Sequence, residues 1–163
     1  MIGPVLTSAL EDKKAGLGAS IVKFENNKYR LKIWNEKLPE LLPQIESDIE
    51  RLFNMEPVLF GVAQPPRKPG AYIVYDHTGA LVYIGEAKGS GGLRDRLLSK
   101  HLSGDDNHAL QRAYKTDFPD RLERRTYIKE SVSVRWVETQ DANMALAIER
   151  LLILMYEPPW NRK

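Results

Sequence analysis

Apolar residues along this chain recur at two spacings. Period two appears first. Ser20–Glu25 and Lys28–Trp34 each alternate between apolar and polar positions on either side of Asn26-Asn27, a pattern that predicts a β-hairpin. The period then changes to that of a helix. Leu38, Leu41, Leu42, Ile45, Ile49, Leu52 and Phe53 share one helical face, so an amphipathic helix is expected over 38–53, with Pro39 in its first turn. Residues 5–14 read as a short helix or an arm. Pro57 and the run Pro65-Pro66-Arg67-Lys68-Pro69 can continue neither pattern and form a stiff connector.

Beyond the connector the chain reads GAYIVYDHTGALVYIG from Gly70 to Gly85. This predicts strands over 70–76 and 80–85 around a turn at Asp76-His77-Thr78-Gly79. Residues 92–102 follow as a helix, with Leu93, Leu97 and Leu98 on one face and Arg94, Arg96 and Lys100 exposed. A second helix is expected over 106–116, capped by Asp105 or Asp106. Residues 117–130 are charged and read as mostly irregular. Val132–Glu138 alternates and is β-branched, a third strand. Asp141 then caps ANMALAIERLLILMYE, a long apolar helix that Pro158-Pro159 ends. The order β-β-α-α-β-α predicts an α+β fold: a small, largely antiparallel three-stranded sheet flanked by helices, over 64–163. Residues 1–63 would be an N-terminal extension made of the hairpin and the amphipathic helix.

Composition narrows this picture only a little. The chain has 163 residues, which suits one domain with an elaborated arm. No apolar run is long enough to span a bilayer, so no membrane role is expected. The N-terminus carries no secretory pattern, and cysteine is absent, which excludes disulfides and thiolate metal sites and fits a reducing cytoplasm. A net charge of +2 excludes a polybasic chain, but basic residues cluster locally: Lys88, Arg94, Arg96 and Lys100, then Arg121, Arg124, Arg125 and Lys129. Such clusters are either solvated faces or phosphate contacts.

Five residues raise chemical questions. Tyr72 and Tyr83 either pack on the sheet or handle a proton, and tyrosine acts as a base only where a cation favours the phenolate or a proton is relayed. Arg96 is either a surface cation or a guanidinium fork for phosphate oxygens. His101, five residues on, either caps the helix C-terminus or assists proton transfer. Glu149 stands in an otherwise apolar helix. It occupies an exposed stripe, pairs with Arg150, or offers a hard oxygen to a divalent cation. Asn161 reads as a loop tie, and Lys88 could reach phosphate. Gly89-Ser90-Gly91-Gly92 lacks the Lys-Ser/Thr of a nucleotide-binding loop, the histidines lack metal-ligand spacing, and no GxSxG elbow is present.

In this order, these residues resemble the GIY-YIG nuclease superfamily. Gly70-Ala71-Tyr72 stands in place of the first triplet, with Ala for the usual Ile, and Tyr83-Ile84-Gly85 is the second triplet intact. Arg96 on the following helix, Glu149 on the closing helix and Asn161 after it complete the set, across about residues 70 to 161. The loop from Lys88 to Leu93 is longer than in that family, and His101 stands one position later than in its homing-enzyme relatives. The resemblance implies a divalent-metal-dependent DNA endonuclease using Mg²⁺ or Mn²⁺. Glu149 would hold the metal, Tyr72 would be the base or its relay, and Tyr83 would position the nucleophile or phosphate. Arg96 would neutralise the transition state, His101 would be accessory, and Gly70, Gly85 and Asn161 would support the site. Lys88, Arg94 and Lys100 would contact DNA. The alternative is a non-catalytic nucleic-acid-binding module that kept the fold. The resemblance leaves repair, restriction and branch cutting equally open, as it does homo-oligomerisation.

Overall fold

The computed structural model describes residues 17–162, with side chains from Glu25 onward. The arm or short helix expected over 5–14 lies outside the described residues. The chain divides into two compact units, Met1–Gln44 and Ile45–Lys163.

Helix α1 (Leu17–Asn54) is continuous, so the hairpin expected around Asn26-Asn27 is not formed. No sheet among the described residues receives the two expected strands. A lone two-stranded hairpin is marginal in water, and β1 to β4 below are the strands present among the described residues. Meanwhile Leu31, Trp34, Leu38, Leu41 and Ile45 carry the three-and-four spacing of the later helix back through the supposed second strand. Lys32 and Glu36, 4.0 Å apart, add an i,i+4 pair. Pro39 and Pro43 both lie inside the helix rather than at its start.

The second unit is built on a four-stranded antiparallel sheet of order β1-β4-β2-β3, one strand more than expected. Its strands are β1 (Val58–Leu59), β2 (Gly70–Tyr75), β3 (Leu81–Ala87) and β4 (Ser133–Glu138). The added strand is two residues of the Pro-rich connector paired with β4. The β2–β3 turn forms where expected. Asp76 accepts from the Thr78 and Ala80 amides through Oδ1 at 2.9 and 3.1 Å.

Helices cover both sheet faces. On one side Ala71, Ile73, Ile84 and Val137 pack with Leu52 of α1 and with Ile148 and Leu152 of α5 (Ala142–Tyr156). Asp141 caps α5 as predicted, accepting from the Met144 amide at 2.8 Å. On the other side Tyr72, Val74 and Tyr83 pack with Leu93, Leu97 and Leu102 of α2 and with Leu110 and Ile128. Helix α2 opens as an α-turn over Gly92–Arg94 and continues with π-type hydrogen bonding over Asp95–Leu102. Helix α3 (Ala109–Tyr114) is shorter than expected and begins after His108, not at an aspartate; Asp105 instead accepts from the Asn107 amide.

Residues 117–130 are not irregular. They supply α4 (Arg121–Ser131), capped by Asp120, whose Oδ1 accepts from the Leu122 and Glu123 amides at 3.0 Å. Within the supposed basic cluster, Arg124 is buried. It donates to the Phe118 and Pro119 carbonyls at 3.1 Å and to Asp106 at 2.9 Å, so it stitches loops together and has no free face for phosphate.

Candidate active site

Antiparallel register sets the centre. Tyr72 pairs with Gly85 across β2 and β3, and Tyr83 pairs with Val74, so the two tyrosines stand diagonally on one face with ring centroids 6.2 Å apart. Gly85 is required by the close approach of the Tyr72 ring: a β-carbon there would overlap its Cζ and hydroxyl. Gly70 has a similar constraint, because a β-carbon would meet the Val137 carbonyl and Leu93. The glycines of both triplets therefore make room, one for the tyrosine and one for the strand and helix beside it. Tyr75 lies on the other face, where it packs within 5.1 Å of the Arg135 guanidinium.

Helix α2 brings the other groups to Tyr72. In an α-helix, a residue five positions on is turned by about 140° from the first. The π-type segment closes its hydrogen bonds on the five-residue spacing instead, so Arg96 and His101 both reach Tyr72. Arg96 Nε donates to Tyr72 Oη at 3.3 Å, and Oη lies 2.5 Å from His101 Nε2. His101 is fully buried between both tyrosines, its ring edge-on to Tyr72 at 5.4 Å and to Tyr83 at 5.3 Å. It does not cap the helix, and its Nδ1 has no hydrogen-bond partner.

The pattern has a consistent polarity. Tyr72 Oη accepts from Arg96 and donates its own proton to Nε2 of a neutral imidazole. Burial, the Arg96 charge and His108 hold His101 down at about 3, so the ring is neutral at ordinary pH. Burial and the neighbouring Tyr83 raise the Tyr72 hydroxyl well above its usual range, against the opposing pull of Arg96. The tyrosine is therefore a neutral hydroxyl wired to a neutral base.

Glu149 projects from α5 and is half-buried. Burial raises its carboxyl; Arg150 counters this, Glu86 adds to it, and Arg96 and Lys88 are close enough to oppose it. The expected pairing with Arg150 exists at 3.7 Å. Glu86 is a further candidate that sequence reasoning missed. Its Oε2 is buried without a hydrogen-bond partner, on the strand that α5 packs against. A glutamate in a strand of alternating character reads as a solvent-facing residue, and only its coupling to Glu149 distinguishes it. Among the described residues no group of three or more His, Asp or Glu gathers to hold a metal.

Asn161 grips β3 from the C-terminal side. Its Oδ1 accepts from the Ile84 amide at 3.0 Å and its Nδ2 donates to the Ile84 carbonyl at 2.8 Å, while the Trp160 amide donates to the Val82 carbonyl at 3.0 Å. The side-chain amide thus takes the place of a further strand beside Tyr83 and Gly85. Lys88, Arg94 and Lys100 are exposed. Arg94 lines a cavity of about 340 Å³ with Arg67 and Ser99, separate from the cavity that Arg96 lines with Tyr83.

No protein-family model matches the chain. Over 97 residues, 59% of its length, it is 32% identical to UvrABC system protein C of Dictyoglomus thermophilum, of which the match covers 13%. Over 120 residues, 73% of its length, it is 29% identical to the protein of the same name from Zymomonas mobilis, covering 14% of it. The chain thus spans only a small part of the length of these curated relatives. Among solved structures, it is similar to a point mutant of the GIY-YIG N-terminal endonuclease domain of UvrC from Thermotoga maritima, bound to its catalytic divalent cation. The TM-score is 0.41 at 22% identity, over 64% of this chain and 91% of that one, too distant a match to transfer any role. No described helix is long and apolar enough to cross a membrane.

Proposed function

We propose, from the premise that this chain carries a GIY-YIG-like domain, that it is an endonuclease hydrolysing phosphodiester bonds in DNA with a divalent cation, in the cytoplasm. The carrying observation is the buried chain of contacts from Arg96 through Tyr72 to His101.

The donors present suit a hard cation such as Mg²⁺, which takes one or two carboxylates and leaves its other positions to water and phosphate. Glu149 would hold it, with the unpartnered Glu86 Oε2 as the adjacent donor. The cation, when bound, would neutralise charge on the phosphate and favour water as a nucleophile.

The remaining chemistry belongs to this chain's own side chains. Tyr72 Oη would take a proton from the attacking water while passing its own to His101 Nε2, so no free phenolate builds up. In the empty site this transfer is opposed, because an imidazolium would stand beside Arg96 in a buried setting. A bound phosphodiester brings the compensating negative charge, which ties proton transfer to substrate occupancy. Arg96 would donate to the phosphoryl oxygens as charge develops there, a contribution of about 10²–10³ in rate for one preorganised donor. Tyr83 would position the phosphate, and Asn161 holds β3 in register beneath it.

The test is incubation with supercoiled plasmid, branched DNA and RNA in Mg²⁺, Mn²⁺ or EDTA, beside Glu149→Ala. Metal-dependent nicking of DNA that the variant has lost is expected. Equal cutting by the variant, or in EDTA, would end the proposal.

A further inference from the structure

Three arginines have an acidic partner among the described residues. Arg51 pairs with Asp48, Arg124 with Asp106 and Arg150 with Glu149. The cleft beside Tyr83 gathers three that have none. It has a volume of about 220 Å³ and is lined by Arg96, Arg112 and Arg162 together with His108, and no carboxylate lines it. None of the three guanidinium groups has an ion pair among the described residues. Asp105, exposed, lies 3.9 Å from His108, and Glu149 senses the Arg96 charge from outside the lining.

Three like charges gathered at one cleft repel one another, and that cost is recovered only when an anion enters. The cleft is also preorganised. Arg112 is held by donating from Nη1 to the Asn107 carbonyl at 2.8 Å, a neutral partner that fixes the side chain without discharging it. Arg96 and Tyr83 form one wall, so the cleft opens directly from the catalytic cluster.

We infer that this cleft is a second phosphate subsite. It holds a non-scissile phosphodiester of the same strand, adjacent to the one being cut, with Arg112 and Arg162 as its positioning residues. The inference rests on the nuclease reading for the identity of the polymer, but binding alone can test it. In the subsite a guanidinium forks onto two phosphate oxygens. Arg96 is shared with the reacting phosphate, while Arg112 and Arg162 touch only the neighbour. Their removal therefore affects capture of the strand and leaves the chemical step.

The experiment measures binding of a fluorescent duplex DNA by anisotropy in EDTA, across a salt series, for the full chain and for Arg112→Gln, Arg162→Gln and Arg125→Gln. Arg125 is a basic residue of another cavity. Arg162 makes no hydrogen bond among the described residues, so its variant reports on the subsite even if Arg112→Gln disturbs the Asn107 loop. Each subsite variant should weaken binding about tenfold and reduce the magnitude of the salt slope by about one, while Arg125→Gln changes the slope by less. In cleavage, the subsite variants should raise KM and keep kcat within about threefold. Identical salt slopes for all four proteins would overturn the subsite, as would a fall in kcat at unchanged KM. A protein that binds as expected but cuts nothing would instead refute the nuclease reading and leave the anion cleft standing.

Discussion

Burying a neutral histidine between two tyrosines has a thermodynamic consequence that acid should expose. His101 is fully buried and held at about 3 in the folded protein, against about 6.5 in the unfolded chain. Below pH 6.5 the unfolded chain takes up a proton on this ring and the folded protein does not. Stability from this group is thus complete above pH 6.5 and is lost progressively as pH falls from 6.5 toward 3. At pH 5 the interval crossed is about 1.5 units, which corresponds to about 2 kcal/mol. For a domain of this size that is a fall in Tm of about 4–8 °C. Urea unfolding at pH 7.5, 6.5, 5.5 and 5.0 would measure it in the wild type and in His101→Leu. The variant will be less stable at pH 7.5, because Tyr72 loses the acceptor of its hydroxyl proton. The informative quantity is the difference between the two slopes. Glu149, whose raised carboxyl acts in the opposite sense, is common to both proteins and cancels. Parallel slopes, or a resonance assigned to the His101 ring titrating between pH 6 and 7, would refute the account of the buried neutral ring.

Other outcomes follow from single contacts. Asn161→Ala removes two hydrogen bonds to Ile84 and should cost about 2 kcal/mol in urea unfolding; a loss under about 0.5 kcal/mol would contradict its role as a strand substitute. Gly85→Ala drives a methyl group into the Tyr72 ring and should cost about 1–3 kcal/mol, with a changed near-ultraviolet tyrosine signal; an unchanged spectrum would show that the ring does not need this glycine. Glu86→Gln should weaken Mn²⁺ binding, read by electron paramagnetic resonance, by about tenfold, because it removes one of two acidic donors; unchanged affinity would leave Glu149 as the sole protein ligand.

The candidate site was legible in sequence where local pattern and chemistry coincide. Tyr72 and Tyr83 sit on alternating strands with a strong turn between them, so their common face could be read directly. Glu149 declared itself by being charged in an apolar helix. Three features depended on partners that the sequence does not display. Helix α4 is polar around most of its surface and is held by Ile128 and the buried Arg124, so its periodicity is faint. The Asn26-Asn27 turn signal was overruled because, among the described residues, no sheet receives the strands beside it. The π-type turn of α2 leaves no mark in composition, yet it brings both Arg96 and His101 to Tyr72.

The central claim is that Tyr72 relays a proton between the attacking water and His101. Single-turnover cleavage of prebound DNA, started by adding Mg²⁺, tests it in Tyr72→Phe, which keeps the ring over Gly85 and deletes only the hydroxyl. The account predicts unchanged DNA affinity and a rate lower by about 10²–10⁴; a variant that cuts within about threefold of the wild type would contradict it.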